Sequence, residues 1–441
     1  MLHSTIGLVR RARDYAQLPS TLKAARNRDQ REGLGVDPGI AWAVREGLAW
    51  LGRAQDASAT QDGGVARHYG LSHGWAASYP ETTGYIVPTM LAHARLSNDD
   101  LLRERARRMI DWLVRIQLPG GGFQGGMVNQ TPVVPVTFNT GQILIGLAAG
   151  VSEFGDVYHG SMLAAADWLV QTQDADGCWR RYPTPFASSG KKAYETHVAW
   201  GLIEAESVEP GRGYAEAAIR NVRWALTHQR ANGWFDRCCL DDPTQPYTHT
   251  IGYVLRGLLE VQDFFDDASL LTAARRTADG ILTTIRQDGA LPGKLKSDWR
   301  GIVAWSCLTG NVQIAHSLLI LYDKTGYEAY RDAAYGLNRA VRCTMRTDDP
   351  DETRGAVKGS FPIDGGYGKF EYLNWATKFA IDSYTAEQQI RARETQVRGA
   401  PVMRAGHPAC DGNGANPISG RERVITVGCL GSQSSHVRGT V

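Results

Sequence analysis

The chain has 441 residues, of which 43% are hydrophobic, 9% aromatic and 21% charged. A formal net charge of +2 argues against a nucleic-acid surface as its main feature, and no apolar run is long enough to cross a bilayer. The seven cysteines are odd in number and include no CxxC pair, so we expect neither a disulfide framework nor a zinc knuckle, and we predict a cytoplasmic protein.

The first predicted element is a basic N-terminal helix within residues 1–38. Residues 10–32 contain seven Lys or Arg against three Asp or Glu. Two interpretations stay open for this segment: a solvated helix, or a helix that packs on the rest of the chain or touches an acidic surface.

A repeat of 56 to 62 residues follows the N-terminal segment. A tryptophan precedes a glutamine by five residues in four copies, at Trp50, Trp112, Trp168 and Trp224. The glutamine position itself recurs six times, as Gln55, Gln117, Gln173, Gln229, Gln287 and, degenerately, Met345. A period of this length is typical of repeat architectures in which each copy is one supersecondary unit.

Each copy is predicted to contain two helices. In the third copy, Met162, Ala165, Ala166, Leu169 and Val170 follow helical spacing, so the first helix has one buried face. The second helix, ETHVAWGLIEA from Glu195, is apolar on all sides and is expected to lie inside the first. Six such pairs predict an all-α (α/α)6 toroid over residues 39–388; an open solenoid is the structural alternative.

Residues 389–441 show no periodicity and are rich in Gly, Pro, Ser and Arg. We predict a disordered tail there.

The phrase that contains Gln173, Gly177 and Trp179 resembles the QW-type repeat of the squalene cyclase and protein prenyltransferase superfamily. The stretches SYPETTGYIVPTML at 78, FNTGQILIGL at 138, SCLTGNVQIA at 306 and LNWATKFAIDS at 373 are similar to prenyltransferase-like proteins of bacterial polysaccharide gene clusters. This resemblance implies the toroid fold more than a reaction.

Topology places the candidate site at one end of the ring. Every inner helix follows an outer one, so all inner helices point the same way and their N-termini gather at one end, where the long connections also lie. Six positive helix ends favour an anionic guest. The other connections, such as LSNDD and SVEPGRG, are short.

The candidate catalytic residues are carboxylates and imidazoles at this end. Glu81 and Asp298 are the preferred acid/base pair, and His197 and His249 are candidate bases. The candidate substrate-binding residues are aromatic, amide or cationic side chains: Tyr85, Asn139, Trp299, Trp305, Asn311, Asn374, Trp375 and Lys378.

The catalytic motifs of the resembled superfamily do not carry over. There is no DxDD phrase and no complete DDxxD-like magnesium site. Asp236, Cys238 and His249 follow the order of the prenyltransferase zinc ligands, but only eleven residues separate the Cys from the His. We therefore expect no metal and no cofactor.

The sequence predicts an enzyme that acts on an acidic glycan or glycan precursor in polysaccharide synthesis or processing, as a hydrolase, lyase or epimerase. Its partners would be an acidic oligosaccharide and proteins of polysaccharide assembly, with no nucleic acid and no membrane span. Two alternatives stay open: an isoprenoid enzyme of the terpene cyclase or prenyltransferase type, and a non-catalytic glycan-binding scaffold.

Overall fold

The computed structural model describes residues 15–188 and 190–399. Helix α1 (Ser20–Glu32) precedes a series of paired helices. The first helices of the pairs are α2 (Ile40–Asp56), α4 (Asp100–Ile116), α6 (His159–Thr172), α8 (Tyr214–Leu226), α10 (Ala268–Leu282) and α12 (Glu328–Arg342). The second helices are α3 (Pro80–Ser97), α5 (Thr137–Phe154), α7 (Thr196–Val208), α9 (Thr248–Phe265), α11 (Leu308–Thr325) and α13 (Asn374–Gly399).

The six pairs close into a ring. Each second helix packs on the second helix of the next pair, from α3 through α5, α7, α9 and α11 to α13, and α13 in turn contacts α3 and α2. The second helices are buried over most of their length, as their apolar sequences predict. The predicted all-α toroid of six hairpins is therefore confirmed.

Glycines let the inner helices approach one another closely. A Cβ on Gly146 of α5 would collide with the backbone carbonyl of Gly84 in α3, and one on Gly201 of α7 would collide with that of Gly141 in α5. Only residues without a side chain permit such backbone contact. Neighbouring inner helices are therefore in direct backbone contact at these positions.

In the first four copies the recurring glutamine links its copy to the outer helix of the next. The side-chain amide of Gln173 donates hydrogen bonds to the carbonyl oxygens of Gly177, at 3.1 Å, and Ala217 on α8, at 2.9 Å. Gln117 bonds the carbonyl oxygens of Gly121 and Ser161 in the same way. The repeat thus preserves a hydrogen-bonding device between outer helices.

Side chains fill the axis of the ring below the starts of the inner helices. Lys378 is 1% exposed, lies 2.6 Å from Asp382, and has its ammonium group over the rings of Tyr85, Phe379 and Trp200. On the neighbouring helices α9 and α11, Arg256 pairs with Glu260 and donates a hydrogen bond to Nδ1 of His316. We call this set of residues the axial plug.

The connections from outer to inner helices carry short strands at one end of the ring. Strand β1 (His68–Gly70) pairs with β2 (Gly74–Trp75) and with β5 (Glu371–Leu373), while β3 (Ser306–Cys307) pairs with β4 (Ser360–Phe361). These antiparallel pairs join the connections of the first, fifth and sixth hairpins. We call this end of the ring the mouth.

Helix α1 packs on the connection of the sixth hairpin. Asp29 is 2% exposed; its carboxylate accepts a hydrogen bond from the Lys358 ammonium at 2.6 Å and another from the backbone N–H of Ile363 at 2.9 Å. A more exposed ion pair joins Arg26 to Asp364. Of the two interpretations of the basic segment, the described part fits the packed helix.

The predicted tail begins inside α13, which continues to Gly399, and residues 400–441 lie outside the described residues, as do residues 1–14 of the N-terminal segment. Among the described residues, no helix is long and apolar enough to cross a membrane.

Candidate functional site at the mouth

Glu81 is the buried carboxyl group at the mouth. It lies in the first turn of α3, where an acidic residue stabilises the helix N-terminus. Its Oε2 accepts hydrogen bonds from Tyr79 Oη and from Asn139 Nδ2, both at 3.0 Å, while Oε1 has no partner among the described residues. Burial raises the pKa of Glu81 to about 7, against the opposing effects of the Tyr79 hydrogen bond and the positive charge of Arg67. The group can therefore hold or release a proton near neutral pH.

Arg67 supplies a cation beside this carboxyl group. Its guanidinium lies 5.1 Å from the centre of the Trp375 ring and donates a hydrogen bond to Oε2 of Glu371 at 3.2 Å. About a third of its side chain is exposed. The guanidinium is therefore oriented by protein contacts and still accessible to an anionic group.

Aromatic rings continue from Trp375 around the mouth. The Trp375 indole N–H donates a hydrogen bond to Tyr367 Oη at 2.9 Å, and the Tyr367 ring lies 4.5 Å from that of His249. Tyr79 contacts the other side of Trp375, with ring centres 6.1 Å apart. Burial lowers the pKa of His249 to about 3, so this imidazole is neutral at pH 7 and can accept or donate a hydrogen bond.

These contacts join side chains from α3, α5, α9, α13 and two connections into one set. We call it the mouth cluster: Arg67, Tyr79, Glu81, Asn139, His249, Tyr367 and Trp375.

One group among the described residues has the ligand types of a metal site. Ligand atoms of His68, His73 and Glu371 lie within 4.8 Å of one another. However, Arg67 lies 2.7 Å from His68 Nδ1, so this nitrogen must accept and His68 carries its proton on Nε2, which lies 2.7 Å from Nε2 of His73. The protonated Nε2 has no lone pair to offer a metal, and the arrangement fits a hydrogen-bonded chain instead.

The trio with the order of prenyltransferase zinc ligands lacks a reactive thiol. Burial raises the pKa of the Cys238 thiol to about 12, and the ligand atoms of Asp236, Cys238 and His249 are not brought within 4.8 Å of one another.

Of the predicted site residues, the structure brings Glu81, Asn139, His249 and Trp375 together in the mouth cluster. Trp305 lies next to it, because its ring is 6.2 Å from that of Tyr247, which in turn contacts Tyr367.

Asp298 is not part of this cluster. Its side chain is half exposed and pairs with Arg300 at 2.6 Å, and hydrogen bonds from Arg300 lower its pKa. Trp299 faces outward, since it packs against Trp234 with ring centres 5.2 Å apart and donates its indole N–H to the Asn232 carbonyl. The predicted pairing of Glu81 with Asp298, and the predicted contact of Trp299 with substrate, have no contacts in their favour.

Three further predicted residues lie below the mouth. His197 is fully buried and donates a hydrogen bond from Nδ1 to Gln142, and burial holds the pKa of its imidazole well below the usual range. Tyr85 and Lys378 belong to the axial plug. Tyr85 and Lys378 lie about one turn below the starts of their helices, whereas His197 is the second residue of α7 and its side chain is buried against Gln142.

The two remaining predicted residues brace the mouth connections. Asn311 accepts a hydrogen bond from the Leu291 N–H and donates one to the Cys307 carbonyl. Asn374 donates hydrogen bonds to the Ala66 carbonyl at 2.9 Å and to Thr82 Oγ1 at 2.8 Å. The Asn311 amide is thereby engaged at both ends, whereas Asn374 uses only its Nδ2 and its buried Oδ1 has no partner among the described residues.

Residues 78–258 match the family described as squalene-hopene cyclase C-terminal domain. This match, which includes the start of α3 and its Glu81, confirms the predicted likeness to the squalene cyclase superfamily. No curated protein matches the chain.

Several solved structures share the toroid. An unsaturated glucuronyl hydrolase specific for heparin superposes with a TM-score of 0.64 at 16% identity, covering 80% of this chain and 99% of that one. A D-mannose isomerase gives 0.64 at 11% identity, covering 80% and 97%. A cellobiose 2-epimerase from Bacillus thermoamylovorans B4167 gives 0.61 at 11% identity, covering 78% and 98%. At these identities the likeness establishes the fold.

Arg67, Tyr79 and Tyr367 are members of the mouth cluster that sequence reasoning did not select as site residues. Arg67 lies in the connection before β1, and the pairing of Tyr69 with Tyr372 brings that connection to the sixth hairpin. The sequence spacing offers no signal for a contact between segments about 300 residues apart. The one available signal was the aromatic character of the connection GGYGKFEYLNW around Tyr367.

Proposed function

We propose that the chain is an enzyme that acts on an acidic glycan or glycan precursor at its mouth, with Glu81 as the group that transfers a proton. One observation carries the proposal: a buried carboxyl group with a pKa of about 7 lies beside the Arg67 cation and a wall of aromatic rings. A carboxyl poised near the operating pH suits general acid–base chemistry.

Five members of the mouth cluster have a direct role in this proposal. Arg67 binds the carboxylate of a uronate and neutralises charge that develops next to it. Tyr367 and Trp375 present ring faces to the sugar. Glu81 exchanges the proton through its unpartnered Oε1, and the neutral imidazole of His249 hydrogen-bonds the substrate.

The arrangement favours a lyase or epimerase over a hydrolase with two opposed catalytic carboxylates. Glu371, a further carboxylate near the mouth, lies within ion-pairing distance of Arg67 at 3.2 Å and is thereby engaged. Proton transfer beside a carboxylate needs one base and one neutralising cation, whereas glycoside hydrolysis usually needs an acid and a second free carboxylate.

Toroids with sugar chemistry support the proposal as analogues. The hydrolase named above acts on unsaturated glucuronyl groups of heparin, and the other two act on mannose and cellobiose. We place the enzyme in polysaccharide synthesis or processing, with assembly proteins as partners, and in the cytoplasm, consistent with five buried free cysteines among the described residues.

The decisive experiment is mass spectrometry of uronate-containing oligosaccharides incubated with the protein in D2O. Elimination gives shorter fragments whose masses sum to the substrate, hydrolysis adds one water, and epimerisation incorporates deuterium without cleavage. We expect Glu81→Gln to reduce kcat by about 100-fold or more, because the amide cannot transfer the proton.

The matched control is Glu204→Gln. Glu204 is a partly buried residue whose carboxyl also has a raised pKa, of about 8, but it accepts a hydrogen bond from Trp200 on the same helix. The control should keep the wild-type rate. If no oligosaccharide changes, or if Glu81→Gln is as active as wild type, the proposal fails.

The isoprenoid alternative rests on the match of residues 78–258 and on the aromatic wall, which also suits carbocations. Magnesium-dependent release of pyrophosphate from prenyl donors would favour it. Tight glycan binding without turnover, unchanged in Glu81→Gln, would favour the scaffold.

A further inference from the structure

A second concave site lies on the outer wall of the ring, beside the mouth. It is a shallow notch of about 540 Å³ between the C-terminal half of α8 and the connection from α6 to α7. Lys191, Arg220 and Arg223 line it, together with Trp224 and His228. The same connection contributes Tyr194, which packs on Phe138 at the start of α5, to the mouth side.

The notch has an excess of positive charge. Lys191 and Arg223 form no ion pair within the described part of the chain, and Arg220 bonds only the neutral amide of Gln173. The one lining carboxylate, Asp176, is paired with Arg180 at 2.5 Å, which lowers the pKa of this carboxyl to about 2. Three cations therefore line one space, and none of them forms an ion pair within the described part of the chain, although Asp176 lies near Lys191 and Asp267 near Arg223.

Comparison of the repeat copies separates Arg223 from the residues that hold the ring together. In two copies the residue before the repeat tryptophan is an Asp that accepts a hydrogen bond from a tyrosine on the next outer helix, and Asp279 near the end of α10 accepts one in the same way. These pairs are Asp111 with Tyr158, Asp167 with Tyr214 and Asp279 with Tyr330. In the fourth copy Arg223 replaces the Asp, and the tyrosine position is Leu270. Arg223 therefore takes no part in these Asp–Tyr hydrogen bonds between outer helices.

The floor of the notch carries an unused polar atom. His228 packs edge-on against Trp224, with ring centres 4.9 Å apart, and its Nε2 is buried without a hydrogen-bonding partner among the described residues. A buried nitrogen of this kind is normally satisfied by a ligand or water.

We propose that this notch binds a carboxylate- or sulfate-bearing segment of an anionic glycan, outside the mouth. Lys191, Arg220 and Arg223 receive the anionic groups, and His228 Nε2 meets a sugar oxygen. The volume is in the range of small-ligand sites, whereas nucleic acid needs an extended track of cations that a chain with a net charge of +2 lacks. The choice of a glycan as carrier of the anion rests on the proposed function; the anion site does not.

The test is calorimetric titration with a heparin-derived hexasaccharide and a galacturonate hexamer, with a neutral cello-oligosaccharide and a six-nucleotide oligo-dT for comparison. The double variant Lys191→Gln/Arg223→Gln should bind the anionic hexasaccharides about tenfold more weakly than wild type, and 0.5 M salt should weaken the wild-type complex, because exposed charges are screened. Turnover at the mouth should be unchanged.

The matched control is Arg339→Gln. Arg339 is an exposed arginine at the same position of the sixth copy, without the notch, and its variant should bind like wild type. Conversely, Arg67→Gln should impair turnover and retain binding at the notch, which separates the two sites.

Three results would contradict the proposed binding of anionic glycans at the notch. They are undiminished affinity in the folded double variant, no binding of either anionic hexasaccharide to wild type, or binding of oligo-dT that is stronger than binding of the hexasaccharides. A different outcome is that the double variant loses affinity for the anionic hexasaccharides while wild type turns over no glycan. This outcome would support the anion site in the notch and would contradict the proposed function at the mouth.

Discussion

Glu81 shows how one residue can be predicted from sequence while its partner is not. An acid in the first turn of a helix is an ordinary stabilising feature, and topology alone placed that turn at the mouth. Its cation, Arg67, lies in an irregular connection and reaches the cluster only through strand pairing with residues of the sixth hairpin. Local periodicity contains no information about such a distant contact.

The raised pKa of Glu81 predicts a pH-dependent stability. In the unfolded chain the carboxyl loses its proton near its ordinary value of 4.5, whereas in the folded protein it keeps the proton up to about pH 7. Between these values the folded state binds the extra proton, so stability falls as the pH rises, by about 3 kcal/mol in total. Glu81→Gln should lack this fall.

Urea unfolding at pH 4.5, 6 and 8 measures this difference. The free energy of unfolding of the variant minus that of wild type should rise with pH up to about pH 7 and then stay constant. Glu328→Gln, at a glutamate whose side chain is 73% exposed, is the control and should follow wild type. Parallel curves for Glu81→Gln and wild type would contradict the burial of a titrating carboxyl.

At the scale of the helices, sequence patterns were most informative where burial is uniform. The all-round apolar helices are the inner wall, and their direction follows from chain order. The hydrophobic pattern does not show how far below the mouth a side chain of an inner helix lies. Tyr85 lies five residues into α3, about 7.5 Å below its start, and belongs to the axial plug.

Long connections were the least predictable elements. Asp298 and Trp299 lie between α10 and α11, and loop length does not indicate whether such a segment turns toward the axis or away from it. Here Trp299 adopts a positive φ of 65° and packs on the outer Trp234, which turns the segment outward.

Close packing of the inner helices predicts a strong effect of one added methyl group. Gly146→Ala would place a Cβ against the Gly84 carbonyl and force α3 and α5 apart. We expect a loss of about 1–3 kcal/mol in the free energy of unfolding, measured with denaturant.

The control for this substitution is Gly160→Ala in α6. A Cβ at Gly160 meets no atom within 4 Å, so the replacement should leave stability unchanged or raise it by up to about 1 kcal/mol. Equal effects of the two substitutions would contradict backbone contact between the inner helices.

At the scale of the whole molecule, six copies of one phrase were sufficient to predict a closed ring, because α13 meets α3 as the count requires. The sequence does not indicate how α1 docks, since a basic segment offers no pattern that distinguishes a packed helix from a solvated one. The buried contact of Asp29 with Lys358, 329 positions away along the chain, shows that α1 is packed on the ring.

Asp29→Asn tests this long-range tie. It removes the counter-charge of the buried Lys358, and breaking a buried pair from one side costs about 3–5 kcal/mol. Thermal and denaturant unfolding should both show the loss. Asp364→Asn, which removes the more exposed partner of Arg26, should cost less than about 1 kcal/mol. Similar costs for the two variants would mean that α1 is only loosely held.

Ring closure also bears on how this protein comes apart. An open array of repeats has two ends, and its terminal units can fray while the middle persists. Here the first and last hairpins protect each other's inner faces, so no unit is terminal. Opening the ring at any point exposes apolar surface on both sides of the break. We therefore expect a similar free-energy cost of opening at each of the six hairpins.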